Sequence, residues 1–166
     1  MIDIKKAIVT LASNEAEFIL VGGVALGLHS AAYITYDIDV CFSRTRQNVS
    51  RIVEALRPFE PRLRGFPKEL PFVWDASTLS HGTLFMLDTA IGDFDLLGEL
   101  DGIGSYPEVL ALSEGWNIYG YNVNVLSVDG LIKAKERAGR EKDLPGLKIL
   151  YALKEADEDE QDKLHE

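Results

Sequence analysis

Residues 18–40 read FILVGGVALGLHSAAYITYDIDV, and the order of residue types in this stretch decides the fold. Phe18 to Val21 form a short apolar run of the kind that makes a buried strand. Gly22 and Gly23 follow at once as a turn, where the lack of a side chain lets the backbone come close to a phosphate. A short helix is expected near Val24 to His29, and a strand near Tyr36 to Phe42. In that strand Asp37 and Asp39 are two residues apart, so they share one face at a spacing of ~6.6 Å, while Ile38 and Val40 turn into the core. Two carboxylates therefore converge where a divalent cation could sit.

A later stretch, TLFMLDTAIGDFDLL (residues 83–97), has two apolar runs flanking a turn at Ile91 and Gly92. The second run puts Asp93 and Asp95 on one face against Phe94 and Leu96. A glycine pair, about a dozen residues, an Asp-apolar-Asp strand and a later strand acid in α/β order together resemble the nucleotidyltransferase superfamily related to DNA polymerase β. Taken singly, the parts are ordinary: glycine pairs make turns, and alternating acids line the wet face of edge strands. The wording FDLLGELDGIGSYPEVL (residues 94–110) and LSVDGLIKAKERAGREKDLPGLKIL (residues 126–150) is similar to a small stand-alone branch that includes the AbiEii and MenT-like toxin transferases. The likeness spans residues 15–153.

The resemblance implies an α/β (α+β) fold: a nucleotidyltransferase-type mixed sheet flanked by helices, with a helix-rich C-terminal half. It implies transfer of an NMP from an NTP to a hydroxyl acceptor, with Asp37, Asp39 and Asp95 holding two Mg²⁺ ions (Mn²⁺ as a substitute) and Asp95 also taking the acceptor's proton. Asp93 is the rival for the third position, and a turn residue is its plain alternative. The same resemblance gives Gly22 and Gly23 the triphosphate tail. In KERAGREKD (residues 135–143) it makes Lys135 and Arg140 phosphate ligands, with Asp143 bracing Arg140. An internal salt-bridge network explains these three residues equally well. The pattern departs from close relatives in placing Tyr33 where they carry an arginine four residues before the first acid, and Ser30 where they carry glycine after His29.

Composition agrees with this reading without suggesting it. The 166 residues suit one domain, expected over residues 1–154, followed by an acidic, solvated tail over 155–166. The formal charge is −10, but that tail holds seven acids against one basic residue, Lys163, so the body is only mildly acidic. Within the body Arg44, Arg46, Arg51 and Arg57 form one basic cluster, and Lys133, Lys135, Arg137, Arg140 and Lys142 another. Either suits a polyanion or a solvated helix face. The lone Cys41 excludes an internal disulfide and a Cys-rich zinc site, and reads as a small buried residue. His29 at a helix end reads as a dipole partner or a family-like histidine. No apolar run approaches the ~20 residues of a membrane span and MIDIKK lacks a signal-peptide core, so the expected compartment is the cytoplasm.

Further elements follow from periodicity. Helices are expected around Ile4 to Leu11 and around Val49 to Leu56, the latter stopping before Pro58. A loop is expected from Pro58 to Pro71, and strands at Phe72 to Trp74 and Thr83 to Leu87. Ser105, Pro107 and Glu108 signal a helix start, Tyr121 to Val125 alternate as a strand, and Ser127 opens a helix that closes at Gly139. Leu147, Leu150 and Leu153 mark a final helix. The expected partners are an NTP, an acceptor (RNA, protein or a small hydroxylated molecule) and an antitoxin protein, with no membrane. Two other classes compete: a catalytically silent nucleotide-binding or regulatory module on the same fold, and an adaptor whose carboxylates are surface charges. NTP binding that depends on Mg²⁺ separates the adaptor from the other two, and pyrophosphate release separates the enzyme from the silent module.

Overall fold

All four residues of the apolar run Phe18–Val21 are buried, as a strand covered on both faces requires. In the computed structural model, which describes residues 1–165, this run is β1, preceded by α1 (Ile4–Ser13) and followed directly by α2 (Gly22–His29) and β2 (Asp37–Phe42). The chain continues through α3 (Arg46–Leu56), β3 (Arg62–Leu63), α4 (Ala76–Ser80), β4 (Leu84–Thr89), β5 (Gly92–Leu97), β6 (Glu99–Leu100) and β7 (Gly104–Ser105). It ends with α5 (Tyr106–Ala111), β8 (Ser113–Ile118), β9 (Tyr121–Leu126), α6 (Val128–Ala138) and α7 (Leu144–Leu164). A mixed seven-stranded sheet runs β3-β4-β5-β2-β1-β9-β8, with β6 and β7 paired separately.

Register sorts the side chains into two faces. β2 pairs antiparallel with β1 and parallel with β5, so Leu20, Val40 and Leu96 lie side by side, as do Ile38 and Phe94. β4 continues the row with Phe85 opposite Leu96 and Leu87 opposite Phe94. All of these are buried, and at roughly 1.5–3 kcal/mol for each large apolar side chain this face is a main source of stability. The alternate residues Asp37, Asp39, Asp93, Asp95, Met86 and Asp88 occupy the other face of β2, β5 and β4.

The helices form where their signals stand. Ser127 Oγ accepts from Gly130 N at 3.1 Å to open α6, and Gly139 ends it at φ +61°. Ser105 precedes α5 and donates its hydroxyl to Glu108 Oε2 at 2.6 Å. The helix expected at Val49 to Leu56 begins at Arg46, capped by Thr45. α7 extends as far as Leu164, so the acidic residues from Glu155 onward are helical to that point and exposed. No helix of the described residues is long and apolar enough to cross a membrane.

Three local expectations fail, and one strand is additional to those expected. Phe72 to Trp74 is not a strand: the segment is irregular, and Trp74 is anchored by its indole N–H donating to Val53 O at 2.9 Å. Asp75 then caps the short α4 by accepting from Thr78 N at 2.8 Å. The loop from Pro58 to Pro71 contains β3, whose two residues pair with Asp88 and Leu87. β8 is an additional strand, joined to β9 through Tyr119 and Gly120, both at positive φ, the conformation a tight hairpin demands. Finally, Gly22 and Gly23 form no separate turn, because α2 starts at Gly22 itself.

One buried polar residue ties the sheet's loops together. Asn48, 1% exposed on α3, donates through Nδ2 to Glu17 O at 2.9 Å and Ser43 O at 2.7 Å, and accepts from Glu17 N at 2.6 Å. It thereby joins the approach to β1 to the exit of β2. Asn48→Ala is expected to cost about 3 kcal/mol, three bonds at ~1 kcal/mol each, measured as a lower urea midpoint at unchanged slope.

Candidate metal and nucleotide site

The parallel pairing of β2 with β5 sets Asp39 directly beside Asp95 and Asp37 beside Asp93. Strands lie about 4.8 Å apart, so facing side chains on them meet. One carboxylate oxygen from each of Asp37, Asp39 and Asp95 lies within 4.8 Å of the other two. Asp93 stays outside this group: its side chain is half exposed, and its Oδ2 lies 3.7 Å from Arg64 Nε. Asp95, by contrast, is buried.

α2 begins against this cluster. Gly22 has φ +60°, and a Cβ there would collide with Asp39 Oδ2, so both backbone angle and space demand glycine. The Gly23 amide faces the Asp39 carboxyl and favours its ionised form. A Cβ at Gly23 would lie 2.7 Å from Thr35 Oγ1 and 3.1 Å from Tyr33 Cε1, so the tyrosine packs across this helix start. Val21 at its N-cap has no polar side chain to offer, and the amides of the first turn carry the positive end of the helix dipole. Thr35 Oγ1 donates to Asp37 Oδ1 at 2.9 Å and orients that carboxylate.

The cluster holds more negative charge than its surroundings balance. Burial, then the charge of Asp37, then the hydrogen bond to Asp95 and its charge, push Asp39 up to about 8, against the opposing Gly23 amide. With no cation beside it, the protonated form of Asp39 is favoured. Three carboxylates with no nitrogen or sulfur donor among them fit a hard divalent cation such as Mg²⁺ or Mn²⁺. Cys41 shares their face but is fully buried, and burial pushes its thiol up to about 12. His29 is engaged elsewhere, through Nε2 with Leu126 O at 2.9 Å and edge-on against Trp116.

Arg64 is the site residue that sequence reasoning missed. It follows β3, and its Nη2 donates to Asp95 Oδ1 at 2.8 Å and to Leu87 O at 3.1 Å. Nε lies 3.4 Å from Asp88 Oδ1 as well as 3.7 Å from Asp93. Burial works against the guanidinium charge, but Asp95 first, then Asp93 and Asp88, outweigh it and raise its pKa. The alternation Arg62-Leu63-Arg64 before Gly65 was the available signal: a very short edge strand with basic residues on one face.

The basic set near the C-terminus converges on Asp143, which is 4% exposed. Arg140 donates Nε to Asp143 Oδ2 at 2.7 Å and Nη2 to Oδ1 at 3.2 Å, and Lys135 Nζ reaches Oδ1 at 3.3 Å. Burial opposes ionisation of Asp143, but the hydrogen bond from Arg140 and the charges of Lys135 and Arg140 hold it below the usual carboxylate range. Lys135 is largely covered, whereas the Arg140 side chain is 56% exposed.

Neither family models nor curated protein sequences match this chain. Solved structures do. A crystal structure of ANT(2″)-Ia in complex with adenylyl-2″-tobramycin superposes with a TM-score of 0.57 at 15% identity, covering 89% of this chain and 84% of that one. A nucleotidyltransferase structure from Thermotoga maritima gives 0.56 at 14% identity, over 89% and 93%. The lincosamide antibiotic adenylyltransferase LnuA with bound lincomycin gives 0.54 at 12% identity, over 89% and 93%. At these identities the likeness is one of fold: this chain folds as those nucleotidyltransferases do.

Asp39 yields a pH prediction. Its folded pKa, about 8, lies above the ordinary carboxyl value of 3.8, so the folded chain retains a proton that the unfolded chain has lost. Its contribution to stability is full below the unfolded pKa and is lost as pH rises through 8. The melting temperature in chelator is therefore expected to fall between roughly pH 5 and 8.5, and Asp39→Asn to flatten that slope. An unchanged slope in the variant would contradict the assignment.

Proposed function

We propose that this chain is a divalent-cation-dependent nucleotidyltransferase that moves an NMP from an NTP to a hydroxyl acceptor. The observation that carries the reading is the cluster of Asp37, Asp39 and Asp95 at the start of α2, on a sheet shared with nucleotidyltransferase structures.

In the reaction the acceptor oxygen bonds to the α-phosphorus while the bond from that phosphorus to the bridging oxygen breaks, and pyrophosphate leaves. Two Mg²⁺ ions held by Asp37, Asp39 and Asp95 would neutralise the triphosphate and the charge gathering on the leaving oxygen. Asp95 takes the proton from the acceptor hydroxyl, its burial shielding it from bulk water. Gly22 and Gly23 at the start of α2 receive the triphosphate tail on backbone amides. Arg140, braced by Asp143, offers an exposed guanidinium to the phosphates, with Lys135 beneath it as a fixed positive charge.

Two acceptor classes have support. The resemblance to toxin transferases favours RNA or protein as the acceptor, in a cytoplasmic toxin whose partner is an antitoxin. The adenylyl-tobramycin and lincomycin bound in two structural neighbours favour a small hydroxylated molecule. Incubation with each labelled NTP, Mg²⁺, and separate pools of RNA, protein and small hydroxylated compounds distinguishes them. Label entering one pool with release of pyrophosphate is expected, and no label in any pool would contradict the proposal.

Within that assay, Asp95→Ala is expected to lower kcat by ~10³-fold or more, as loss of a reacting acid does, while NTP binding persists. Asp93→Ala should keep most activity, because its carboxylate lies outside the cluster. The opposite pattern would reassign the third acid.

A further inference from the structure

We propose that Arg64 is a positioning residue for the third acid, a role that rests on the transferase reading above. Asp95 is almost fully buried, and the other side chains converging on it are the acids Asp37 and Asp39. A carboxylate so placed is driven by repulsion to turn away from its neighbours. Arg64 receives it on the far side, balancing its charge and pinning it in one place, and the arginine is itself built into the sheet. Its backbone N–H donates to Met86 O at 2.8 Å, Leu63 pairs with Leu87 just before it, and Nη2 is shared between Leu87 O and Asp95 Oδ1.

The guanidinium serves its three acids unequally. Asp88 and Asp93 are half exposed, lie 3.4 and 3.7 Å from Nε, and can be satisfied by water. Nε is itself buried and makes no hydrogen bond, so those two acids hold the guanidinium by charge alone. Asp95 receives the one short charge-assisted bond, at 2.8 Å. Arg64 pairs with neither Asp37 nor Asp39, so it fixes Asp95 from the side away from β2. With Oδ1 committed to Arg64, Asp95 is held to one rotamer and has Oδ2 left for a cation or the acceptor's proton. The acids of the hairpin thus anchor the arginine, and the arginine aims the acid that works.

The test uses Arg64→Ala, Arg64→Lys, Asp93→Asn and Asp95→Asn in the full chain, with one readout independent of activity. A pinned guanidinium rotates slowly and shows resolved Nη resonances in ¹⁵N NMR. These are expected for Arg64 in the native protein and in Asp93→Asn, and should collapse in Asp95→Asn. In the transfer assay Arg64→Ala should lower kcat by ~100-fold, the scale on which misplacing a reacting group costs rate, with KM for NTP changed less than about twofold. Arg64→Lys should recover part of the loss, and guanidinium added to Arg64→Ala should recover some as well. Normal kcat in Arg64→Ala with a lowered melting temperature would overturn the proposal and leave the residue as a strand clamp. So would resolved Nη signals that survive in Asp95→Asn. If the native protein transfers nothing to any acceptor, the enzymatic reading fails by itself, while the NMR comparison still accepts or rejects the pairing.

Discussion

Repulsion among three carboxylates in a confined space is the constraint around which the rest of this structure is arranged. The parallel alignment of β2 and β5 puts Asp39 beside Asp95, and Asp37 joins them two residues along the strand. The molecule offsets the repulsion from several directions. The Gly23 amide faces Asp39, Arg64 holds Asp95, Thr35 binds Asp37, and Asp39 retains a proton. Each of these contacts depends on a different element, so the sheet order, the start of α2 and the short β3 are all needed to assemble one small volume. The charge left uncompensated is what the proposed divalent cation would balance.

The stability that supports this arrangement comes from the opposite face of the sheet. Ile38, Val40, Phe94, Leu96, Phe85 and Leu87 are buried there in register, and strand alternation then leaves Asp37, Asp39 and Asp95 no choice but the other face. A one-residue slip of β5 would bury the acids and expose Phe94. Packing and the placement of the acids are therefore specified by the same register, and burial of the apolar face fixes which residues the other face presents. Asn48 extends this logic to the chain ends of β1 and β2, whose backbone groups it satisfies from α3.

How much of this could be read from the residues depended on how local the signal was. The alternation of Asp37, Ile38 and Asp39 needs only neighbouring residues, and so does the cap at Ser127. The choice between Asp93 and Asp95 needs the register of two strands more than fifty residues apart, which no periodicity contains; family resemblance pointed to Asp95, and the structure places that carboxylate in the cluster. β3 is two residues long, so the alternation of Arg62, Leu63 and Arg64 is its sole local signal, and nothing in that pattern says which strand Arg64 will meet. Phe72 to Trp74 has strand-like composition, but the Trp74 indole found a carbonyl on α3 instead, and tertiary packing prevailed over propensity. Lys135, Arg140 and Asp143 were recognisable as a set, and in the structure both basic residues bond to Asp143.

The central claim is that Asp37, Asp39 and Asp95 jointly hold divalent cations against a nucleotide. Its most direct test is a crystal grown with Mn²⁺ and a non-hydrolysable NTP analogue, with diffraction recorded at the manganese absorption edge. The account predicts anomalous density within coordination distance, about 2.0–2.2 Å, of carboxylate oxygens from all three residues, with the triphosphate lying along the start of α2. A nucleotide bound elsewhere, or three carboxylates with no anomalous density between them at saturating Mn²⁺, would contradict it.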